Sequence, residues 1–457
     1  MFEDHENLFI VKDVESAMQK LKKGKSAGLD KLTTEHLIYA HPSVIVSLKL
    51  LFNMMLVYGL VPDDFGKGLL IPLVKDSKGD VSQCENYRGI TVSCVISKLF
   101  EYVMLGKYSS LFKTDSLQFG FQNGVGCSDA LFTVKSVVDH YTKNGCTVSV
   151  SALDISKAFD RVSLYALFSK LMERKFPKQV ILVLLSWYKN NYTKVKWKDS
   201  FSDFFQPLAG VRQGGILSPF LFALYIEDIL LQLKLKDKGC KIGKVYLGCF
   251  LYADDILLLS QSMVCMQSIL NICCDVSKFL DLKFNVKKSA TLRIGKRCNT
   301  KCCRLMLDGI EIPFADEIKY LGIIIKKDVK FCRSYCSTKI NFYRCFNAVY
   351  SKASFANEDV LINLFRAYCI PIITYACEAV YPSSSDMKSI DKLISTAFSK
   401  IFHSFDIDLI TNARLCFGLH SIAEMLLTRQ QKFLSRYYNK SFTFSSTIYY
   451  VNHDYFF

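Results

Sequence analysis

Three aspartates draw attention because each ends or interrupts an apolar run. In VSVSALDISKAFDRV (148–162), Asp154 marks the point where a strand-like stretch gives way to a turn and helix. In FLYADDILLLS (250–260), Asp254 and Asp255 lie between two apolar runs, the pattern of a hairpin tip. A third segment, GVRQGGILSPFLFALYIEDI (210–229), is a Gly-rich turn entering a long apolar helix whose start is marked by Ser218 and Pro219. Taken singly, each has an ordinary reading: an Asp pair at a tight turn is most often solvated, and carboxylates commonly end strands. Taken together they pose an electrostatic problem, because acids at the ends of adjacent core strands repel, and burying such charge costs several kcal/mol per ion. A divalent cation removes the objection. Mg²⁺ accepts one or two carboxylates together with substrate phosphate oxygens and keeps waters elsewhere. Two such ions about 4 Å apart activate an attacking oxygen and stabilise a leaving one. The chemistry implied is phosphoryl transfer.

The elements that must hold these residues form a coarse α+β map. CTVSVSAL (146–153) and GCFLYA (248–253) predict short strands that end on the acids. Helical signal runs over 13–23; Thr33 and Thr34 before Glu35 predict a capped helix reaching Leu60. Residues 66–93 read as loops and strands, 94–112 as helix, and helical segments dominate after 325. The long apolar stretch 360–381 is broken by Arg366, Pro371 and Glu378, which favours a buried helix over a membrane span.

Composition narrows the partner. Of 457 residues, half are apolar and 22% charged, which excludes disorder and low complexity. The net charge of +16 favours a polyanion. Much of it is concentrated: residues 283–345 hold 15 Lys and Arg against five Asp and Glu. With no membrane span in view, nucleic acid is the leading partner. After 325, Lys326, Lys327, Lys330, Arg333, Lys339 and Arg344 interleave with Phe331, Tyr335, Phe342 and Tyr343. That face suits a template–primer backbone, although a solvated helix with an apolar stripe explains it almost as well. The 18 cysteines are scattered and the first ten residues are acidic and polar, so reduced thiols in an intracellular protein are expected. The cluster Cys298, Cys302 and Cys303, with Cys332 and Cys336 beyond it, lacks zinc spacing.

With these segments in view, the sequence resembles the reverse transcriptases of non-LTR (LINE-type) retrotransposons. LDISKAFD, GVRQGGILSP and FLYADD are similar to their first three catalytic motifs, and LKFNVKKS (282–289) and IKYLGIII (318–325) to the fourth and fifth, in order. Upstream, LIPLVKDSKGD (70–80), ENYRGITVSCVISKLFE (85–101) and QFGFQNGVGCSDAL (118–131) match fingers segments. The likeness covers roughly residues 22–330. It departs from the family at Gly89, where proline is common, and at Lys31, where glycine usually follows the Asp.

The resemblance implies a right-hand polymerase fold: an N-terminal extension and fingers (1–145), a palm with an antiparallel sheet (146–325, with fingers-side helices near 163–205), a helical thumb (326–440) and a tail (441–457). It implies RNA-directed DNA synthesis with an RNA template, a DNA primer and dNTPs, and two Mg²⁺ ions, Mn²⁺ being an alternative. Asp154 and Asp254 would hold the metals, with the Ile155 carbonyl as a further ligand and Asp255 completing the acidic cluster. Phe159 stands at the position of the aromatic gate against a ribose 2′-OH; without the motif it reads as core. Gln213 and Gly214 would support the incoming nucleotide, and Lys75 and Arg88 its triphosphate. Lys288 matches a lysine that could protonate pyrophosphate, with Lys287 adjacent as the alternative. Tyr320, Leu321 and Gly322 resemble a primer grip, or equally a core strand end. Asp154 lies close to Met1, so an element polymerase without its endonuclease is expected, in the nucleus or the cytoplasm. Two other readings stand beside it: a catalytically silent RNA-binding remnant or domesticated polymerase fold, and an intron-maturase-like reverse transcriptase.

Overall fold

The computed structural model describes residues 8–76, 79–440 and 442–453. Ser77 and Lys78 of the first fingers segment lie outside the described residues, as do Ser441 and 454–457 of the tail. The fold is α+β, and the chain forms two compact units that interleave in sequence. One gathers the N-terminal residues to Phe121 with Ile155–Leu231 and Asp275–Lys283; the other gathers Gln122–Asp154, Gln232–Cys274 and the rest from Phe284.

In the first unit, strand Lys67–Val74 pairs antiparallel with Tyr87–Ser93 and parallel with Tyr192–Trp197, which pairs in turn with Ser200–Phe201. Pro72 has no amide hydrogen, and its position is compatible with the ladder because the parallel pairing stops at Leu70. Helices Ser43–Tyr58, Val95–Lys107 and Lys178–Lys189 enclose an aromatic core in which Phe100 touches Phe52, Phe65 and Trp187. The single helix expected from Thr33 to Leu60 is two, Thr34–Ile38 and Ser43–Tyr58. Pro42 explains the break, since a proline disfavours helical backbone in the residue before it.

The second unit is organised by a four-stranded antiparallel sheet in the order Ala290–Ile294, Val148–Leu153, Asp255–Ser260, Cys249–Tyr252. Its two middle strands, VSVSAL and DILLLS, are almost entirely buried along their length. Helix Cys127–Lys143, which the sequence reading joined to the N-terminal fingers, packs on this sheet because one of its faces is continuously apolar. Its first turn is capped by Asp129, which accepts from Gly126 N at 2.7 Å. The same helix receives the C-terminal end of the chain. Tyr437 and Thr133 hydroxyls are 2.6 Å apart, Lys440 Nζ donates to buried Asp129 at 2.6 Å, and Asn452 of helix Ser445–His453 donates to Ser136 at 3.0 Å. Part of the tail is therefore a docked helix.

A small sheet, Glu317–Tyr320, Ile323–Lys326 and Cys332–Ser334, precedes a helical array built on Phe342, Phe346, Phe365 and Phe398. This corrects the basic aromatic face expected after 325. Phe331, Tyr335 and Phe342 are core residues, and Arg333 is buried, donating to the Tyr375 carbonyl at 2.8 Å. Among the described residues no helix is long and apolar enough to cross a membrane.

Candidate active site

Strand pairing alone carries the three acids to one end of one sheet. Val148–Leu153 runs antiparallel to Asp255–Ser260 with Leu153 opposite Ile256. Asp154 therefore leaves its strand at the end where Asp255 begins the neighbouring one. Tyr252 faces Asp255 across the hairpin, so Ala253 and Asp254 form a two-residue loop. Ala253 has φ 57°. Tight hairpin loops require such left-handed backbone, and in an alanine it costs on the order of 1 kcal/mol.

The electrostatics follow from this crowding. Desolvation raises the Asp154 pKa; Lys288 opposes the shift, Asp254 adds to it, and a hydrogen bond with the Asn285 side chain opposes it again. Asp255 is pushed up to about 6, first by desolvation and then by Asp254 and Asp154, with Lys319 pulling the other way. Among the described residues no group of three or more His, Cys, Asp or Glu is arranged to enclose a metal ion. The donor chemistry nevertheless fits a hard divalent cation: carboxylate oxygens whose charged forms repel one another, in a protein that would supply only part of the shell.

The segment 285–289 wraps Asp154. Asn285 N donates to the Asp154 carbonyl at 2.8 Å, Asp154 N donates to Ser289 Oγ at 3.2 Å, and Ser289 Oγ donates back to the Asn285 carbonyl at 2.9 Å. Lys288, and not the neighbouring Lys287, is among the groups acting on Asp154. Asn285, Ser289 and Lys319 escaped the sequence reading. FNVKKS gave a segment and its lysines, but nothing in it said which side chains turn towards Asp154.

The Tyr320–Gly322 segment belongs to the same unit. Tyr320 is 3% exposed and its hydroxyl has no hydrogen-bond partner among the described residues, so this ring is core and cannot grip a strand. What reaches the surface is the turn after it. Leu321 (φ 42°) and Gly322 (φ 79°) are both left-handed, and Gly322 is exposed.

The expected nucleotide contacts lie in the first unit. The exposed Lys75 donates from Nζ to the Glu85 carbonyl at 2.9 Å, and Arg88 is exposed on its strand opposite Leu73. Phe159 is half-buried and stacks on Phe222, ring centroids 4.6 Å apart. Ile155 has a buried side chain, which leaves its carbonyl as the group able to serve as a ligand. Gln213 Nε2 donates to Asp160 at 2.8 Å, and its carbonyl accepts from Thr91 N at 2.7 Å. At Gly214 (φ 119°) a Cβ would fall 2.4 Å from the Thr91 carbonyl, so only glycine fits. Glu101, missed from sequence, is buried beneath this loop and accepts from Ile216 N at 2.8 Å, while the Arg212 guanidinium offsets its charge. Beside the loop, Thr91, Asp160 and Gln213 share a cleft of about 830 Å³ with Tyr87 and Trp197.

Comparison with known proteins identifies the family. Residues 75–325, more than half of the chain, match the family described as reverse transcriptase (RNA-dependent DNA polymerase). The chain is 29% identical over 283 residues to the Retrovirus-related Pol polyprotein from type-2 retrotransposable element R2DM of Drosophila melanogaster, covering 60% of this chain and 26% of that protein. It is 24% identical over 389 residues to the RNA-directed DNA polymerase from mobile element jockey of the same fly, covering 80% and 41%. The chain thus spans less than half the length of these curated relatives. Among solved structures, apo telomerase from Candida tropicalis aligns over 90% of this chain and 74% of its own at a TM-score of 0.43 and 13% identity.

Proposed function

The chain belongs to the reverse transcriptase (RNA-dependent DNA polymerase) family, with polymerases of non-LTR retrotransposons as its relatives, and on that premise we propose that it extends a DNA primer with dNTPs on an RNA template. The single observation that carries the reading is the meeting of Asp154, Asp254 and Asp255 at one end of one sheet. Asp154, Asp254 and Asp255, with the Ile155 carbonyl, are the residues to hold a pair of Mg²⁺ or Mn²⁺ ions. Bound there, such ions neutralise charge on the attacking and departing oxygens.

The chain's own groups do the rest. The primer 3′-hydroxyl releases its proton to solvent as its oxygen bonds to the α-phosphorus and the bond to the bridging oxygen of the leaving pyrophosphate breaks; Lys288 Nζ gives the pyrophosphate a proton. Arg88 and Lys75 meet the triphosphate as a planar fork and a point charge. Gln213 and the bare backbone of Gly214 support the nucleotide, and the Phe159 ring bars a 2′-hydroxyl. Leu321 and Gly322 hold the primer end through backbone. In domain terms, residues 1–145 act as extension and fingers, 146–325 as palm and 326–440 as thumb.

Primer extension on an RNA template with Mg²⁺ and dNTPs tests the reading. Wild type extends, whereas Asp254→Asn loses at least about 10³-fold in incorporation and keeps its affinity for template–primer. Equal extension by the two proteins overturns the assignment; binding without extension by the wild type identifies a silent RNA-binding remnant.

A further inference from the structure

Tyr375 lies 54 residues beyond Leu321 in sequence, yet its hydroxyl donates to the Leu321 carbonyl at 3.0 Å. Its ring also fills the space beside Gly322, where a Cβ would sit 3.0 Å from Cε1. Leu321 is a non-glycine residue at φ 42°, a conformation that persists only where the surroundings over-determine it. The Tyr375 hydroxyl and ring are such surroundings. Tyr375 is anchored in turn, its carbonyl accepting from Arg333 Nη1 at 2.8 Å, and that guanidinium lies 4.1 Å over the Tyr335 ring. One phenol therefore braces the strained turn.

We propose that Tyr375 is a positioning residue for the strand terminus being extended: its hydroxyl and ring fix the Leu321–Gly322 backbone in the shape that holds a nucleic-acid 3′ end. The inference rests on the primer-end reading of that turn. Nothing in the sequence points to it, because YACEAV reads only as part of a broken apolar helix.

The test compares full-length wild type, Tyr375→Phe and Gly322→Ala in steady-state extension and in dissociation of a labelled primer–template. Tyr375→Phe removes the hydrogen bond to the Leu321 carbonyl and keeps the ring beside Gly322. KM for primer–template and the dissociation rate should each rise about 2- to 10-fold, while KM for dNTP and the melting temperature stay within error. Gly322→Ala, which drives a Cβ against the ring, should move the same two quantities further. If Gly322→Ala raises the primer terms and Tyr375→Phe does not, the bracing role is wrong and the primer-end reading stands. If neither variant moves them, the primer-end reading falls and the inference with it. A Tyr375→Phe protein that melts earlier and loses primer and dNTP affinity alike shows a merely structural tyrosine and overturns the proposal.

Discussion

The acidic hairpin and the Gly-rich loop Gln213–Gly215 are held in opposite ways. In the sheet-centred unit, strand register alone puts Asp154 beside Asp255, and the supporting segment 285–289 leads directly into the edge strand of the same sheet. In the other unit, the Gln213–Gly215 loop owes its shape to groups more than a hundred residues away, the Thr91 backbone and buried Glu101. One site is built by secondary structure and the other by distant polar contacts. They should therefore fail differently: the first by losing chemistry with the fold intact, the second by losing the fold around the loop.

The sharpest way to break that contrast is Glu101→Ala. It leaves the part-buried Ile216 N without its acceptor, and an unsatisfied buried donor costs up to about 3 kcal/mol. Chemical denaturation should show that loss, with a raised dNTP requirement. Stability within 1 kcal/mol of wild type would mean that the loop stands without its distant support.

Next in size is Lys288→Ala. Loss of a general acid costs about 10²-fold in turnover without loss of stability, whereas Lys287→Ala should stay near wild type. Turnover measured on pre-bound primer–template separates them, and equal losses would remove the distinction drawn between the two lysines. Ser289→Ala takes away the acceptor of Asp154 N and should cost about 1 kcal/mol in unfolding free energy, reporting how much of the acidic site depends on its wrap.

The smallest effect is a pH dependence. Asp255 is held near 6, above its ordinary 3.8. Its charged form is thus disfavoured in the folded chain, so its contribution to stability is full at low pH and lost as pH rises through about 6. Without divalent cations, Asp255→Asn should be more stable than wild type at pH 8 by at most about 1 kcal/mol, because the exposed side chain is screened. The gap should close towards pH 4, and a gap independent of pH would contradict the crowding of the acids.

These two regions also differ in how far sequence alone could reach. The strands ending on Asp154 and on Asp254–Asp255 were legible because short continuous apolar runs and a two-residue loop are local signals. The Gly-rich loop was visible as composition, but Glu101 beneath it was not, since a single carboxylate in SKLFE looks like any helical surface acid. For Tyr320 a primer grip and a core strand end stood equally open, and the structure puts its ring in the core. YLG fixes a turn, while burial of its tyrosine depends on what packs over it. Arg333 and Phe342 read as a binding face because alternation of basic and aromatic residues does not reveal which of them point inward. Locally encoded geometry was readable, and geometry imposed by remote contact was not.

The hairpin tip has one more consequence, for length rather than identity. Tyr252 pairs with Asp255 across only Ala253 and Asp254, and side chains alternate faces along a strand. A one-residue insertion or deletion at the tip that shifts the pairing would turn one strand over and carry Asp254 and Asp255 out of line with Asp154. Single-residue length variants here should be far rarer among functional copies than substitutions at the same positions, which makes an in-frame codon gain or loss at the tip a simple mark of a copy that no longer works.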